Sequence, residues 1–162
     1  MFWTPCVRSV PWMNKTTYEQ ELAQKGFLLY TTVGRSMRPF LRSGEDLMRI
    51  EARNDAPLKA GDVVLYRRKS GKYVLHRIVK VRAGDYVLCG DNCWQLEPGI
   101  RDDQILGKLT AVIRQGRTQD VSGFGYRLKV NLWWLVYPLR AAYLWTRDMI
   151  GKIWKKIKKT AS

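Results

Sequence analysis

Tyr73-Val74-Leu75-His76-Arg77-Ile78-Val79-Lys80-Val81 is nine residues without Gly or Pro, rich in β-branched and aromatic side chains. Its period-two alternation predicts a strand carrying Val74, His76 and Ile78 on one face. Lys69-Ser70-Gly71-Lys72 before it and Arg82-Ala83-Gly84-Asp85 after it are short turn segments, so the strands on either side, Asp62–Arg67 and Tyr86–Cys89, should run antiparallel to it. Further out, Phe27–Val33, Leu47–Ala52 and Gly107–Arg114 have the same texture. The fold class that follows is mainly β, an antiparallel sheet domain over residues 27–114.

The flanks read differently. Residues 1–26 form a lead-in, aperiodic to about Asn14, then a short helix over Thr16–Gln24 with Thr16 or Thr17 as cap and Gly26 as stop. Gly116, Gly123 and Gly125 among polar neighbours make 115–125 a linker. Residues 126–162 form a basic, aromatic, amphipathic helical tail, in which Ala142, Trp145, Met149, Ile153 and Ile157 recur at helical spacing and Ile150 and Trp154 widen the stripe. The apolar run Leu132–Leu139 falls well short of the roughly 20 residues that a spanning helix needs. Two readings stay open for the tail: a peripheral anchor on an anionic membrane surface, or a helix packed on the domain with a solvated basic face.

Lys plus Arg number 29 against 14 Asp plus Glu, a formal charge of +15, which favours a polyanionic partner, either nucleic acid or anionic lipid. The excess is concentrated between Arg127 and Lys159, where Asp148 is the only acid. A composition of 46% hydrophobic and 27% charged residues excludes a disordered chain. Cys6, Cys89 and Cys93 are too few, and odd in number, for a disulfide scaffold. With no C-x-x-C pair and a single His, no metal site or cofactor is expected.

The string Gly34-Arg35-Ser36-Met37-Arg38-Pro39-Phe40-Leu41, followed by Gly44-Glu45-Asp46, carries a Ser held between Gly and Pro. Ser becomes a nucleophile only beside a base. A lone His on a strand face is ordinarily a core His satisfied by one hydrogen bond, but His76 is also the one side chain here suited to exchange a proton near neutral pH. Asp91 lies in the Gly-punctuated turn Cys89-Gly90-Asp91-Asn92-Cys93, where an Asp can also serve its own backbone.

In order and spacing, the Gly-x-Ser-Met-x-Pro string, Gly61-Asp62-Val63-Val64, His76-Arg77-Ile78-Val79, Gly90-Asp91-Asn92 and Ile105-Leu106-Gly107-Lys108 resemble the signal peptidase I family of S24/S26-type serine peptidases, over about residues 27–114. The common bacterial form has Lys where His76 stands, so the chain is similar to the endoplasmic-reticulum and archaeal branch. The resemblance implies a coiled antiparallel β-sheet domain, as in signal peptidases and self-cleaving repressors, cutting a signal or leader segment after small residues. It implies Ser36 as nucleophile, His76 as general base and an acid orienting the imidazole, with Asp91 the first candidate and Glu97 the alternative. Gly34, Arg35, Met37 and Pro39 fall in the oxyanion and substrate-binding region. Gly34 stands where many bacterial relatives carry a Ser that assists the oxyanion, which leaves backbone N–H groups such as that of Ser36.

The family's N-terminal membrane anchor has no counterpart in the first 26 residues, and the tail could replace it. A peripheral location on the cytoplasmic face of a membrane is the resulting expectation. The alternative from another class is a noncatalytic basic module binding nucleic acid or anionic membrane. No helix-turn-helix, zinc-finger or RNA-binding signature supports nucleic acid, so none is expected as a partner.

Overall fold

Thr17 opens helix α1 (Tyr18–Lys25) through a capping box, its hydroxyl accepting from the Gln20 N–H at 3.3 Å while its own N–H donates to Gln20 Oε1 at 3.0 Å. Gly26 stops the helix in a left-handed conformation, φ 75°, that favours Gly. The computed structural model describes residues 17–31 and 33–160; within α3 the side chains of Lys155, Lys156, Lys158, Lys159 and Thr160 are excepted. The aperiodic lead-in with Cys6 and the alternative cap Thr16 lies outside the described residues.

The strands are β1 (Phe27–Thr31), β2 (Leu47–Ala52), β3 (Val63–Arg67), β4 (Tyr73–Val81), β5 (Tyr86–Cys89), β6 (Glu97–Ile100), β7 (Ile105–Arg114) and β8 (Arg117–Asp120). They form one antiparallel sheet in the order β1-β2-β7-β3-β4-β5-β6, with β8 paired to β7. Helices α2 (Phe124–Leu135) and α3 (Tyr137–Thr160) follow. The chain is therefore a mixed α/β domain, built on a large antiparallel sheet and ending in a helix.

Alternation gives this sheet a core on each face. Val63 and Leu65 of β3 join Leu28, Met48, Ile50 and Leu109 on one side. Val64 and Tyr66 join Ile78, Leu88 and Ile105 on the other. β3 is thus buried on both faces, and its sequence reads as a continuous apolar run.

Two stretches differ from the sequence expectation, the first being Glu97–Ile100, which forms β6 where the sequence predicts no strand. Residues 115–125 are not a linker: Gln115 and Gly116, both at positive φ (50° and 74°), form a two-residue turn that pairs β8 with β7 through Arg114↔Arg117. Polar, wholly exposed β8 gave no apolar alternation to reveal it. Beyond residue 126 the chain continues as α2 and α3, in which Val130 and Leu144 are buried.

β7 lies between β2 and β3, with Gly107 opposite Ala52 on one side and Leu65 on the other. A Cβ at position 107 would run into the Glu51 carbonyl oxygen and come within 2.9 Å of Ile50 Cγ2. Because the obstructing atom is backbone, Gly107→Ala should destabilise the fold by about 1–3 kcal/mol. Urea denaturation should show the lowered midpoint; an unchanged midpoint would mean that β2 gives way at no cost.

Candidate active site

Ser36 sits in the turn between β1 and β2. The Leu41 N–H reaches the Met37 carbonyl at 3.0 Å, and Met37 and Leu41 are buried in the core, which pins the turn to the sheet. On its other side the Asn92 N–H donates to the Ser36 carbonyl at 2.7 Å and Asn92 Nδ2 to the Arg35 carbonyl at 3.2 Å. The Arg38–Pro39 peptide is cis. Asp46, which ends this turn, accepts from Arg114 and from the Arg42 N–H, and these bonds outweigh the effect of burial to hold its carboxyl below the usual range.

His76 shares a strand face with Val74 and Ile78, as its alternation predicts. Its Nδ1 lies 3.1 Å from Glu97 Oε1 and 3.4 Å from the Tyr66 hydroxyl. Tyr66 donates to Glu97 Oε2 at 2.7 Å, and Arg68 donates from Nε at 2.9 Å and also pairs with Oε1. Burial by itself would raise the Glu97 carboxyl, but the bonds from Arg68 and Tyr66 outweigh it, so Glu97 is ionised at neutral pH. Burial lowers the pKa of His76 below its ordinary 6.5 by more than Glu97 lifts it. The ring is neutral at pH 7, and a proton on Nδ1 facing the carboxylate leaves the Nε2 lone pair free.

Asp91, the first candidate for the orienting acid, is engaged elsewhere. Its two oxygens accept from Arg77 Nε at 2.8 Å and Nη2 at 2.7 Å, with Asp91 0% and Arg77 1% exposed. Arg77 also donates to the Gly61 carbonyl and to the Tyr126 hydroxyl, and its guanidinium lies over the Phe40 and Tyr126 rings. Glu97 is the carboxylate that meets the imidazole. The sequence order places Asp91 first, and no local signal in the Glu-Pro-Gly stretch reverses it, because pairing across the sheet decides which acid arrives.

A cavity of about 620 Å³ brings Ser36 and His76 together, with Gly34, Met37, Cys93 and Glu97 also in its wall. Arg35 and Pro39 are exposed and lie outside that wall. The Gly34 N–H donates to Ser43 Oγ at 3.0 Å, which occupies it as an oxyanion donor. Gly90 marks where the pieces converge. A Cβ there would lie 2.7 Å from the Ser36 carbonyl oxygen, 2.8 Å from Cys93 Sγ and 3.0 Å from His76 Nε2, so only Gly fits. Among the described residues no hydrogen bond joins the Ser36 hydroxyl to His76; in unliganded sites such bonds are often long. Tyr66, Arg68 and Cys93 escaped the sequence reading, although the register Val64↔His76 and Tyr66↔Val74 is what alternation on adjacent strands produces.

β5 pairs with β4 only from Arg77↔Cys89 to Val81↔Tyr86. Residues 73–76 therefore have no β5 partner, and the cavity opens there. No described cluster of His, Cys, Asp and Glu could hold a metal ion. Comparison with known proteins finds no matching family model, curated protein or solved structure.

Asp91→Asn would leave a buried guanidinium without its counter-charge and should lower stability by about 3–5 kcal/mol. Glu97→Gln, at the wall of an open cavity, should shift the denaturation midpoint less. Equal shifts would remove the distinction between a scaffold acid and a site acid.

Proposed function

We propose that the chain is a serine endopeptidase similar to signal peptidase I, cutting a signal or leader segment after a small residue. The observation that carries this reading is the imidazole of His76, backed by ionised Glu97 and presenting Nε2 at the Gly90 corner where the Ser36 backbone lies.

Ser36 Oγ attacks the scissile carbonyl carbon while its proton passes to His76 Nε2. The carbonyl π electrons move to oxygen, and the resulting oxyanion is received by backbone N–H groups, that of Ser36 foremost. The imidazolium, stabilised by Glu97, returns the proton to the leaving amine as the C–N bond breaks. Water then attacks the acyl ester, giving its proton to His76, and as the ester C–O bond breaks His76 returns that proton to Ser36 Oγ and the acid product leaves. No cofactor enters these steps. The unpaired edge of β4 at residues 73–76 suits a peptide laid in as an added strand. Met37, Leu65 and Leu75 supply apolar walls beneath it.

Ser36→Ala and His76→Ala should each lower kcat/KM on a fluorogenic peptide with Ala at the cleavage position by about 10³-fold or more, with circular dichroism unchanged. Near-normal turnover in either folded variant would return the chain to the class of noncatalytic basic modules.

Only the neutral imidazole accepts the Ser36 proton, and its pKa is depressed by burial. The acid limb of kcat/KM should accordingly fall below pH 6.5, with the rate constant above it. The same sign applies to stability. The unfolded chain binds the proton more readily, so this group's contribution is present above 6.5 and is lost as pH falls through the native value. A rate that climbs only toward the Lys range would assign the base to Lys72, which also lines the cavity.

A further inference from the structure

Helices α2 and α3 each have two apolar sides, and only one of them is used. On α2, Tyr126, Val130 and Trp133 face the sheet domain, while Phe124, Leu128, Leu132 and Leu135 form a second row at spacings of four, four and three. That outer row is bare: Phe124 is 83% and Leu135 76% exposed. On α3, Tyr137, Leu144 and Asp148 face inward, whereas Leu139, Ile150, Ile153 and Ile157 lie on the far side, all exposed. Among the described residues, packing accounts for the inner rows and gives the outer rows no partner.

Charge selects the occupant. Exposed Arg127 and Lys129 flank the outer row of α2, on a chain of formal charge +15, while Lys152 lies on the Asp148 side of α3. A second copy seated face to face would oppose like charges, whereas an anionic bilayer accepts the apolar rows at its headgroup boundary and neutralises the cations beside them. No described helix is long and apolar enough to cross a membrane.

The inner rows grip the loop that holds the nucleophile. Trp133 Nε1 donates to the Asp91 carbonyl at 2.9 Å, the Tyr137 hydroxyl to the Trp94 carbonyl at 2.8 Å, and Trp94 Nε1 to Asp148 Oδ2 at 3.1 Å. The next residue of that loop, Asn92, holds the Ser36 carbonyl. With only Val130 and Leu144 buried among the fully described positions of the two helices, this attachment is slight, and anything that binds the docked arrangement favours it.

We propose that the outer face of α2 and α3 is a docking surface for anionic lipid, and that docking tightens the Gly90–Trp94 loop through Trp133 and Tyr137. The catalytic consequence rests on the peptidase reading; docking and tightening do not. The full chain should sediment with vesicles of phosphatidylcholine and phosphatidylglycerol, less with phosphatidylcholine alone, and only partly release in high salt. Ile150→Glu with Ile153→Glu should weaken sedimentation roughly tenfold or more, with circular dichroism unchanged. Amide exchange at Gly90–Trp94 should slow on docking, and Trp133→Phe should dock but lose that slowing. Peptide cleavage should rise with vesicles in parallel. Failure to sediment with either vesicle, or a dimer abolished by the Ile pair, overturns the docking surface. Sedimentation with unchanged exchange at Gly90–Trp94 overturns the tightening. Absence of cleavage under every condition overturns the peptidase reading alone, because sedimentation and exchange still decide the other two.

Discussion

The buried ion pair between Arg77 and Asp91 holds the rest of the molecule in register. Desolvating two charges is unfavourable unless the geometry is excellent and the remaining donors are satisfied. Here Arg77 makes a two-point contact with Asp91 and spends its other donors on the Gly61 carbonyl and the Tyr126 hydroxyl. Those partners come from the segment before β3, the loop after β5 and helix α2, while the Phe40 ring beside the guanidinium comes from the Ser36 turn. One side chain thus joins four separate pieces of chain. Strand alternation turns His76 to the opposite face, so fixing Arg77 also fixes the imidazole.

The electrostatics on the His76 face are complementary in kind. A neutral ring is kept neutral by burial, beside a carboxylate kept ionised by Arg68 and Tyr66. Burial also raises the Tyr66 phenol, with Glu97 adding to it, so that hydroxyl remains a donor. The arrangement places negative charge where an imidazolium would need it without protonating the ring beforehand. It also explains why Arg68 belongs with the site although it bonds Glu97 and not His76: without it, burial would lift Glu97 toward protonation.

Local signals carried much of this in the sequence. The bounds of β2, β4 and β5 follow from runs of β-branched and aromatic residues between Gly-containing turns, and the Thr17 cap and Gly26 stop define α1. What escaped depends on distant partners. β6 contains a Pro and a Gly in four residues, and β8 is polar throughout, so neither has a pattern that distinguishes a strand from a loop. The choice between Asp91 and Glu97 likewise turns on which acid the β5–β6 pairing delivers to His76. Helical periodicity found the apolar stripe beyond residue 140 but could not tell the side that packs from the side that does not.

The position of β7 in the sheet has a consequence for the chain during its synthesis. β2 and β3 are separated in the sheet by β7, whose first residue, Ile105, comes about forty residues after the end of β3. Until Ile105–Arg114 leaves the ribosome, the halves bearing Ser36 and His76 have no common strand to bring them side by side, and Trp133 follows later still. The cavity shared by Ser36 and His76 is therefore completed only after β7 has been made, and the earlier strands alone do not build it.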